Sequence, residues 1–287
     1  MNDLDNDFQL GNPVVHKLGD REFKRLSEFI ISQYGIKLPP VKKIMVQSRL
    51  QKRLKFLRFN GFKEYVDYIF SGEGQKREVP FMIDAVSTNK TDFFREPTHF
   101  DFLINEVLPR SVVDRKERIK VWSAGCSSGE EPYTIAMVME EFLGDKHLFD
   151  YSILATDISM GVLEHAVIGI YDQEKVTVIN NNLKKKYLLK GKDKYRDKIR
   201  ISSVIRNKVN FQQFNLLSSG YTALGIFDII FCRNVLIYFE REIQCQVIRH
   251  LCEVLRPGGL LFLGHSESIT GMELPLDLIK PTIFVKK

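Results

Sequence analysis

The chain has 287 residues, of which 44% are hydrophobic and 27% charged, and it carries a formal net charge of +6. A chain of this length can bury a substantial core as one large domain or two modest ones, and the composition is that of an ordinary globular protein. No apolar run reaches membrane-spanning length, so no membrane insertion is predicted. The N-terminus lacks the basic start and apolar stretch of a signal peptide.

The first part of the chain is predicted to be helical. Residues 1–19 are interpreted as a flexible polar tail, and residues 20–85 as a helical N-terminal domain with a connector. The segment "DREFKRLSEFIISQY" predicts a helix that begins at Asp20, and a second helix follows the prolines of "PPVKKIMVQSRLQKRLKFL". "FKEYVDYIF" predicts a third helix, and "SGEGQKREVP" a connector rich in Gly and Pro. The buried side of the second helix is expected to carry Val46, Leu50, Leu54 and Leu57.

The second helix is also strongly basic. From Lys42 to Lys63 there are eight basic residues and no acidic one. Such a block attracts an acidic partner, which could be nucleic acid, anionic lipid or an acidic protein surface.

Residues 86–287 alternate strands and helices. The strands "KVWSAG", "YSILATD", "VNFQQFN", "FDIIFCR" and "GGLLFLG" are apolar, and helices separate most of them. This pattern predicts an α/β fold with a doubly wound, mostly parallel sheet. Residues 171–208 interrupt the alternation with a lysine-rich antiparallel β insertion, and "PTIFVKK" could add an edge strand.

The four cysteines, Cys126, Cys232, Cys245 and Cys252, form no CxxC pair and have no histidine nearby at metal-ligand spacing. We therefore predict a reducing, cytoplasmic environment, without disulfides and without a metal site.

A glycine turn in "VWSAGCSSGEEPYT" lies between the first strand and the next helix. The turn has neither the GxxxxGK[ST] of a P-loop nor the GxGxxG of a dinucleotide site. Glu130 and Glu131 follow Gly129 and would repel a pyrophosphate. A ligand without phosphate and with positive charge fits better, and S-adenosylmethionine has both properties. The alternative is that the two glutamates only cap the helix.

Two further strand ends support a nucleoside ligand. Asp157 ends the second strand, where a carboxylate can accept hydrogen bonds from both ribose hydroxyls. Alternatively, Asp157 is the N-cap of the following helix. After the third strand, Asn215 offers an amide for an adenine edge and Leu216 an apolar floor.

The end of the fourth strand bears on the methyl acceptor. It reads "CRNVLIYF" and lacks the [DNS]PP[YFW] motif of enzymes that methylate the exocyclic amines of DNA bases. The chain also has no Pro-Cys dipeptide, which carries the nucleophile in enzymes that methylate carbon-5 of cytosine. An ionised oxygen acceptor needs only positioning and partial loss of its water shell. Arg95 and Tyr238 are candidates for holding a carboxylate, and Arg233 could serve the cofactor side. Alternatively, Arg95 pairs with Glu96, and Tyr238 is a core residue.

In chain order, "STNKTDFFRE", "VWSAGCSSGEEPYTIAM", "TDI", "FNLL", "FCRNVLIYF" and "GGLLFLGHSE" resemble the chemotaxis receptor methyltransferase family (CheR type). The resemblance covers roughly residues 20–287. It implies the fold of S-adenosylmethionine-dependent methyltransferases and a protein-glutamate O-methyltransferase that releases S-adenosylhomocysteine and uses no metal. The implied partners are the cytoplasmic helices of methyl-accepting chemotaxis receptors, without nucleic acid or membrane insertion. The implied location is the cytoplasm, with recruitment to membrane receptor arrays.

The resemblance also implies roles for single residues. Arg95 and Tyr238 correspond to residues that orient the substrate carboxylate. The implied cofactor pocket consists of Asn89, Thr91, Arg95, Glu131, Asp157, Asn215, Leu216, Arg233 and Asn234. The implied receptor-recognition residues on the basic helix are Arg49, Lys52 and Arg53.

The insertion resembles a small β-subdomain that docks the receptor's C-terminal pentapeptide in some family members by strand addition. The docking loop is glycine-rich in those members. Gly191 is present here, but Asp193 stands where a second glycine is expected, which argues against this tethering. Two other functions stay open on the residues alone: a nucleic-acid methyltransferase, and a non-catalytic relative that binds receptor or cofactor.

Overall fold

The computed structural model describes residues 16–114, 117–146 and 148–287, so most of the predicted tail lies outside the described residues. The chain forms two compact units. One consists of the residues up to Phe29 together with Leu38–Val86, and the other of Ile30–Lys37 together with Ser87–Lys287. Among the described residues, no helix is long and apolar enough to cross a membrane.

The N-terminal part is helical, as predicted. The helices are α1 (Asp20–Tyr34), α2 (Lys43–Leu57), α3 (Phe62–Ile69), α4 (Gly72–Arg77) and α5 (Val79–Val86). Of the four residues predicted on the apolar side of α2, Val46, Leu50 and Leu54 are fully buried and Leu57 is partly buried.

The segment after α3, predicted as a connector punctuated by Gly and Pro, forms the unpredicted helix α4 and begins α5. The Ser71 hydroxyl accepts a hydrogen bond from the backbone N–H of Gly74 at 3.0 Å and so caps α4. A Cβ at Gly74 would lie 1.9 Å from the carbonyl oxygen of Tyr68. The glycine therefore serves close packing of α4 on α3, and Pro80 lies in the first turn of α5, where a proline is tolerated.

The second unit contains a sheet of seven strands and a sheet of three. The strands are β1 (Arg118–Ala124), β2 (Asp150–Asp157), β3 (Ile170–Asp172), β4 (Leu188–Lys190), β5 (Lys198–Ile201), β6 (Val209–Gln213), β7 (Phe227–Cys232), β8 (Leu255–Leu263), β9 (Leu276–Lys280) and β10 (Ile283–Lys286). The large sheet has the order β6-β2-β1-β7-β8-β10-β9. Its first five strands are parallel, and β10 is antiparallel to both of its neighbours. The predicted mostly parallel α/β sheet is confirmed. The C-terminal strand β10 is not at the edge, however, because β9 pairs with its outer side.

Helices cover both faces of this sheet. The remaining helices are α6 (Pro97–Phe102), α7 (Leu108–Val113), α8 (Glu130–Leu143), α9 (Met160–Ile168), α10 (Asn181–Tyr187), α11 (Ser203–Arg206) and α12 (Arg241–Val254). On one face, Phe231 and Phe262 stack with ring centroids 4.3 Å apart. On the other face, the fully buried Trp122 donates from Nε1 to the hydroxyl of Thr156 at 2.9 Å.

The insertion contains the second sheet, in the antiparallel order β3-β5-β4, and the helix α10. The antiparallel insertion was predicted, and α10 was not. Asp193, in the turn between β4 and β5, has a φ of +52°, in the left-handed region that favours glycine. This is the position where the resemblance leads us to expect a second glycine.

Candidate functional site

The candidate site lies where the parallel strands β1, β2, β7 and β8 end, because the carboxyl ends of parallel strands share one edge of the sheet. The segment 87–96 lies against the same edge. Four non-glycine residues in these loops have a left-handed φ: Phe94, Glu96, Ser127 and Asn234. Such strained backbone is concentrated at functional sites.

The glycine turn after β1 is packed tightly against its neighbours. The backbone N–H groups of Gly125 and Cys126 donate to the carbonyl of Thr156 at 2.7 and 2.9 Å. A Cβ at Gly125 would lie 2.3 Å from Cγ2 of Val235, and the residue has a φ of +79°. Glycine is therefore required for the close approach of the turn after β7.

The two glutamates at the start of α8 have different surroundings. Glu130 is 2% exposed and accepts a hydrogen bond from the Ser128 hydroxyl at 2.7 Å, and its burial raises its pKa. Glu131 accepts from the Ser123 hydroxyl at 2.7 Å and pairs with Arg233 at 3.0 Å. Burial raises the pKa of Glu131, and the Arg233 guanidinium opposes that rise. The N-cap of α8 is Gly129, so neither glutamate occupies the cap position itself.

Asp157 organises the turns after β1 and β2. Its carboxylate is 8% exposed and accepts from the N–H of Ser127 at 2.8 Å and from the N–H of Ser159 at 3.0 Å. Ser159 is the N-cap of α9 and accepts from the N–H of Val162. The alternative in which Asp157 is the helix N-cap is therefore wrong.

A buried ion network connects the ends of β1 and β7 with the segment 87–96. The Arg233 side chain is 2% exposed and donates to Glu96 at 3.0 and 3.2 Å, to Glu131 and to the carbonyl of Arg95. Burial acts to raise the pKa of Glu96, but Arg233 and hydrogen bonds from Asn234 and the His265 backbone outweigh it and lower that pKa. The alternative pairing of Arg95 with Glu96 is wrong, because the cation beside Glu96 is Arg233.

Glu267 was missed from the sequence. Its carboxylate is 7% exposed and accepts four backbone N–H groups, from Gly264 at 2.5 Å, Leu236 at 2.7 Å, Val235 at 2.8 Å and Asn234 at 3.0 Å. It thereby fixes the turn after β7 against the end of β8. The usable signal was an acidic residue directly after a buried strand, in "LFLGHSE".

The segment that carries three predicted residues is fixed at several points. The hydroxyl of Ser127 donates to the carbonyl of Asn89 at 2.9 Å, and Lys175 donates to the carbonyl of Thr91 at 3.0 Å. Arg95 donates from Nη1 to the carbonyl of Lys90 at 3.1 Å. The structure thus places Asn89 beside the glycine turn and Thr91 beside Lys175 of the insertion.

The other predicted residues lie along the same edge. The side-chain amide of Asn215 donates to the carbonyl of Gln33 at 2.9 Å, and its oxygen accepts from the N–H of Leu217. Leu216 is buried, and Tyr238 is partly buried in a 3₁₀ turn after β7. An open cavity of about 670 Å³ adjoins Asn215 and Gln33.

Two family models match the chain. Residues 21–87 match the CheR methyltransferase, all-alpha domain, and residues 89–285 match the CheR methyltransferase, SAM binding domain. The chain belongs to the CheR methyltransferase family. It is 37% identical to the chemotaxis protein methyltransferase of Borreliella burgdorferi, over 100% of both chains. It is also 37% identical to that of Escherichia coli, over 93% of this chain and 91% of that one. With chemotaxis protein methyltransferase 2 of Pseudomonas aeruginosa the identity is 38%, over 90% of each chain. The predicted family is confirmed.

The acidic residues and glycines of this CheR-family chain are chemically complementary to S-adenosylmethionine (SAM), the ligand that the name of the matched domain gives. S-adenosylmethionine contains a ribose diol and carries positive charge at its sulfonium and ammonium groups. Asp157 is an acid at a strand end beside a glycine turn, the usual partner of a ribose. The Glu96, Glu131 and Arg233 network holds two carboxylates and one cation, which leaves an excess of negative charge.

The three residues predicted to recognise a receptor differ in their surroundings. Arg53 forms a bidentate ion pair with Glu78, and Arg49 donates to the carbonyl of Val86 at 3.1 Å. Lys52 is exposed. Contacts within the helical unit therefore hold the two arginines.

Proposed function

We propose that this CheR-family chain transfers a methyl group from S-adenosylmethionine to glutamate side chains on the cytoplasmic helices of methyl-accepting chemotaxis receptors, forming γ-methyl esters. The buried network of Glu131, Arg233 and Glu96 is the observation that most strongly supports this proposal. It occurs inside the matched SAM binding domain, at the strand ends where a nucleoside ligand binds. The protein would act in the cytoplasm, at receptor arrays.

The cofactor would supply a methyl group bound to a sulfonium. Asp157 would bind the ribose hydroxyls, and Asn215 and Leu216 would border the adenine. Glu131, Arg233 and Asn234 would surround the amino-acid end, with Asn89 and Thr91 closing the pocket from the segment 87–96.

The acceptor carboxylate is ionised near neutral pH and needs no general base. Arg95 and Tyr238 would hold it in line with the sulfur–methyl bond and exclude part of its water. A carbon–oxygen bond would form as the carbon–sulfur bond breaks, and S-adenosylhomocysteine would be the leaving group. Among the receptor-recognition residues, Lys52 is the exposed one and would face the acidic helices of the receptor.

Radiolabel transfer to receptor fragments tests the reaction. We expect labelled methyl groups that mild base releases as methanol, since carboxyl methyl esters hydrolyse under these conditions. If the label resists base, or if it is found in added nucleic acid, the proposal is wrong and the protein is a nucleic-acid methyltransferase instead.

Variants separate the roles of the residues. Asp157→Ala should weaken S-adenosylhomocysteine binding by about 1–3 kcal/mol in calorimetry, because hydrogen bonds to a charged group are lost. Arg95→Ala should impair transfer far more than cofactor binding. Arg118→Ala, at the opposite edge of the sheet, is the matched control and should leave both intact. Equal losses of transfer and binding in Arg95→Ala would assign Arg95 to the cofactor pocket alone.

A further inference from the structure

A cluster of three metal-ligating side chains lies on the outer side of the Arg233 network. Glu96, His99 and His265 each direct a ligand atom into one space, with the three atoms within 4.8 Å of one another. Oε2 of Glu96 is 3.6 Å from Nδ1 of His99 and 3.8 Å from Nδ1 of His265. The side chain of His99 is 1% exposed and that of Glu96 10%, whereas His265 is 54% exposed. The cluster is therefore buried on one side and open to solvent on the other.

The hydrogen bonds of Thr282 fix the tautomer of His99. The Thr282 hydroxyl donates its hydrogen to the carbonyl of Pro281 at 2.7 Å. The same hydroxyl lies 2.9 Å from Nε2 of His99, so it accepts there and Nε2 carries the proton. In a neutral imidazole the other nitrogen, Nδ1, then holds a lone pair. That lone pair points into the cluster.

The lone pair has no hydrogen-bond partner among the described residues. It faces Oε2 of Glu96, which is also an acceptor, at 3.6 Å. Oε2 of Glu96 already accepts from Arg233, whereas Nδ1 of His99 has lost water without gaining a partner, which is unfavourable. A cation bound beside Nδ1 would supply that partner.

We propose that Glu96, His99 and His265 bind a divalent transition-metal ion, with zinc as the best match. Two imidazoles and one carboxylate are a recurrent zinc ligand set that leaves a fourth position for water. Zinc bonds of about 2.0–2.2 Å place tetrahedral ligands about 3.3 Å apart. The separations of 3.6 and 3.8 Å from Glu96 are close to this value. The ligand atoms of the two histidines lie within 4.8 Å of each other and would approach by up to about 1.5 Å. Thr282 would act behind His99, since a ligating histidine usually has its other nitrogen held by a hydrogen bond.

The proposed ion would share Glu96 with Arg233. Because Arg233 also pairs with Glu131, metal binding would reach the network at the ends of β1 and β7. His99 and His265 lie outside the residues assigned to methyl transfer, and Glu96 belongs to both sets.

Zinc titration of the full chain tests the proposal, after treatment with a chelator and in a Cys245→Ser background, because the Cys245 thiol is partly exposed. We expect one site per chain with a micromolar or tighter dissociation constant. His265→Ala should lose at least tenfold in affinity, and this ligand is exposed enough for the variant to fold. His165→Ala, at another exposed histidine, should bind as the parent does.

Two further measurements identify the ligands. Cobalt(II) should give the intense visible absorption of a tetrahedral site, and His265→Ala should lose it. Thr282→Ala should bind zinc about 10–100-fold more weakly, whereas Thr282→Ser should retain the affinity. The proposal is overturned if the parent binds no stoichiometric zinc, or if His265→Ala binds it as tightly as the parent.

Discussion

Arg53→Ala should destabilise the helical unit by about 3–5 kcal/mol, because it leaves a buried carboxylate without its cation. Glu78 is 2% exposed, and it accepts from Arg53 Nε at 2.8 Å and Nη2 at 2.5 Å, and from the Tyr65 hydroxyl at 3.0 Å. The guanidinium carbon also lies 4.3 Å from the ring centroid of Phe81 and 4.9 Å from that of Phe56. Each of these cation–π contacts adds about 0.5–1 kcal/mol.

Urea unfolding followed by circular dichroism measures the change, with the transition of the helical unit analysed by itself. Lys52→Ala, one residue away and exposed, is the control and should stay within about 0.5 kcal/mol of the parent. Adding Glu78→Gln to Arg53→Ala should recover part of the loss, because the stranded charge is removed. An unchanged unfolding midpoint in Arg53→Ala, together with lost receptor methylation, would refute the structural role and make Arg53 a receptor contact.

Three more predictions concern stability. Glu267→Ala should lower the free energy of unfolding by about 2–4 kcal/mol, because alanine leaves all four backbone N–H groups without an acceptor. Glu267→Gln retains an acceptor oxygen and should lower it by less. Equal losses in the two variants would contradict this reasoning. Gly264→Ala places a Cβ 2.5 Å from Nδ2 of Asn234 and should destabilise by about 1–3 kcal/mol in urea, whereas Gly220→Ala, whose nearest neighbour atom is 3.7 Å away, should not. Burial, helped by the nearby Arg233 guanidinium, lowers the pKa of His99 from its ordinary value of 6.5 to about 4 in the folded protein. Protonation of His99 therefore favours the unfolded chain. The free energy of unfolding should keep its full value above about pH 6.5 and should fall by about 3 kcal/mol as the pH falls toward 4. Parallel unfolding curves of the parent and His99→Gln across that range, with a chelator present, would show that reasoning to be wrong.

The sequence predicted the sheet because four of the five predicted strands contain a short apolar run and helices separate most of them; the fifth, "VNFQQFN", is more polar. The sequence did not predict α4, because a glycine such as Gly74 is compatible with two different structural roles. A glycine breaks a helix when its backbone is exposed, but it permits close packing when another carbonyl lies 1.9 Å from where a Cβ would be. Only the tertiary structure distinguishes the two cases. The position of β10 was missed because β9, the mostly exposed strand "LDLIK", was not predicted.

For the candidate site, the useful signals were the pair of glutamates after the glycine turn and the acid that ends the second strand, which made Glu130, Glu131 and Asp157 candidates; the resemblance to the CheR family, and not the charge pattern, favoured Glu131. Glu96, before α6, and Glu267, shortly after β8, were not predicted as site residues, because the groups that they contact lie far along the chain. Glu96 pairs with Arg233, 137 residues away. On the basic helix, the sequence does not show that Glu78 holds Arg53.

The root of the β insertion belongs to the methyl-transfer end of the sheet, whereas its tip does not. At the root, the Tyr171 hydroxyl donates to the carbonyl of Ser128, and Lys175 holds the carbonyl of Thr91 and pairs with Asp92. The turn between β4 and β5 has no such bond to the strand ends among the described contacts. During evolution, this outer hairpin could therefore be replaced by one with a different binding preference while methyl transfer is retained. Loss of the whole β insertion would instead remove the hydrogen bonds that hold the loops around the ligand.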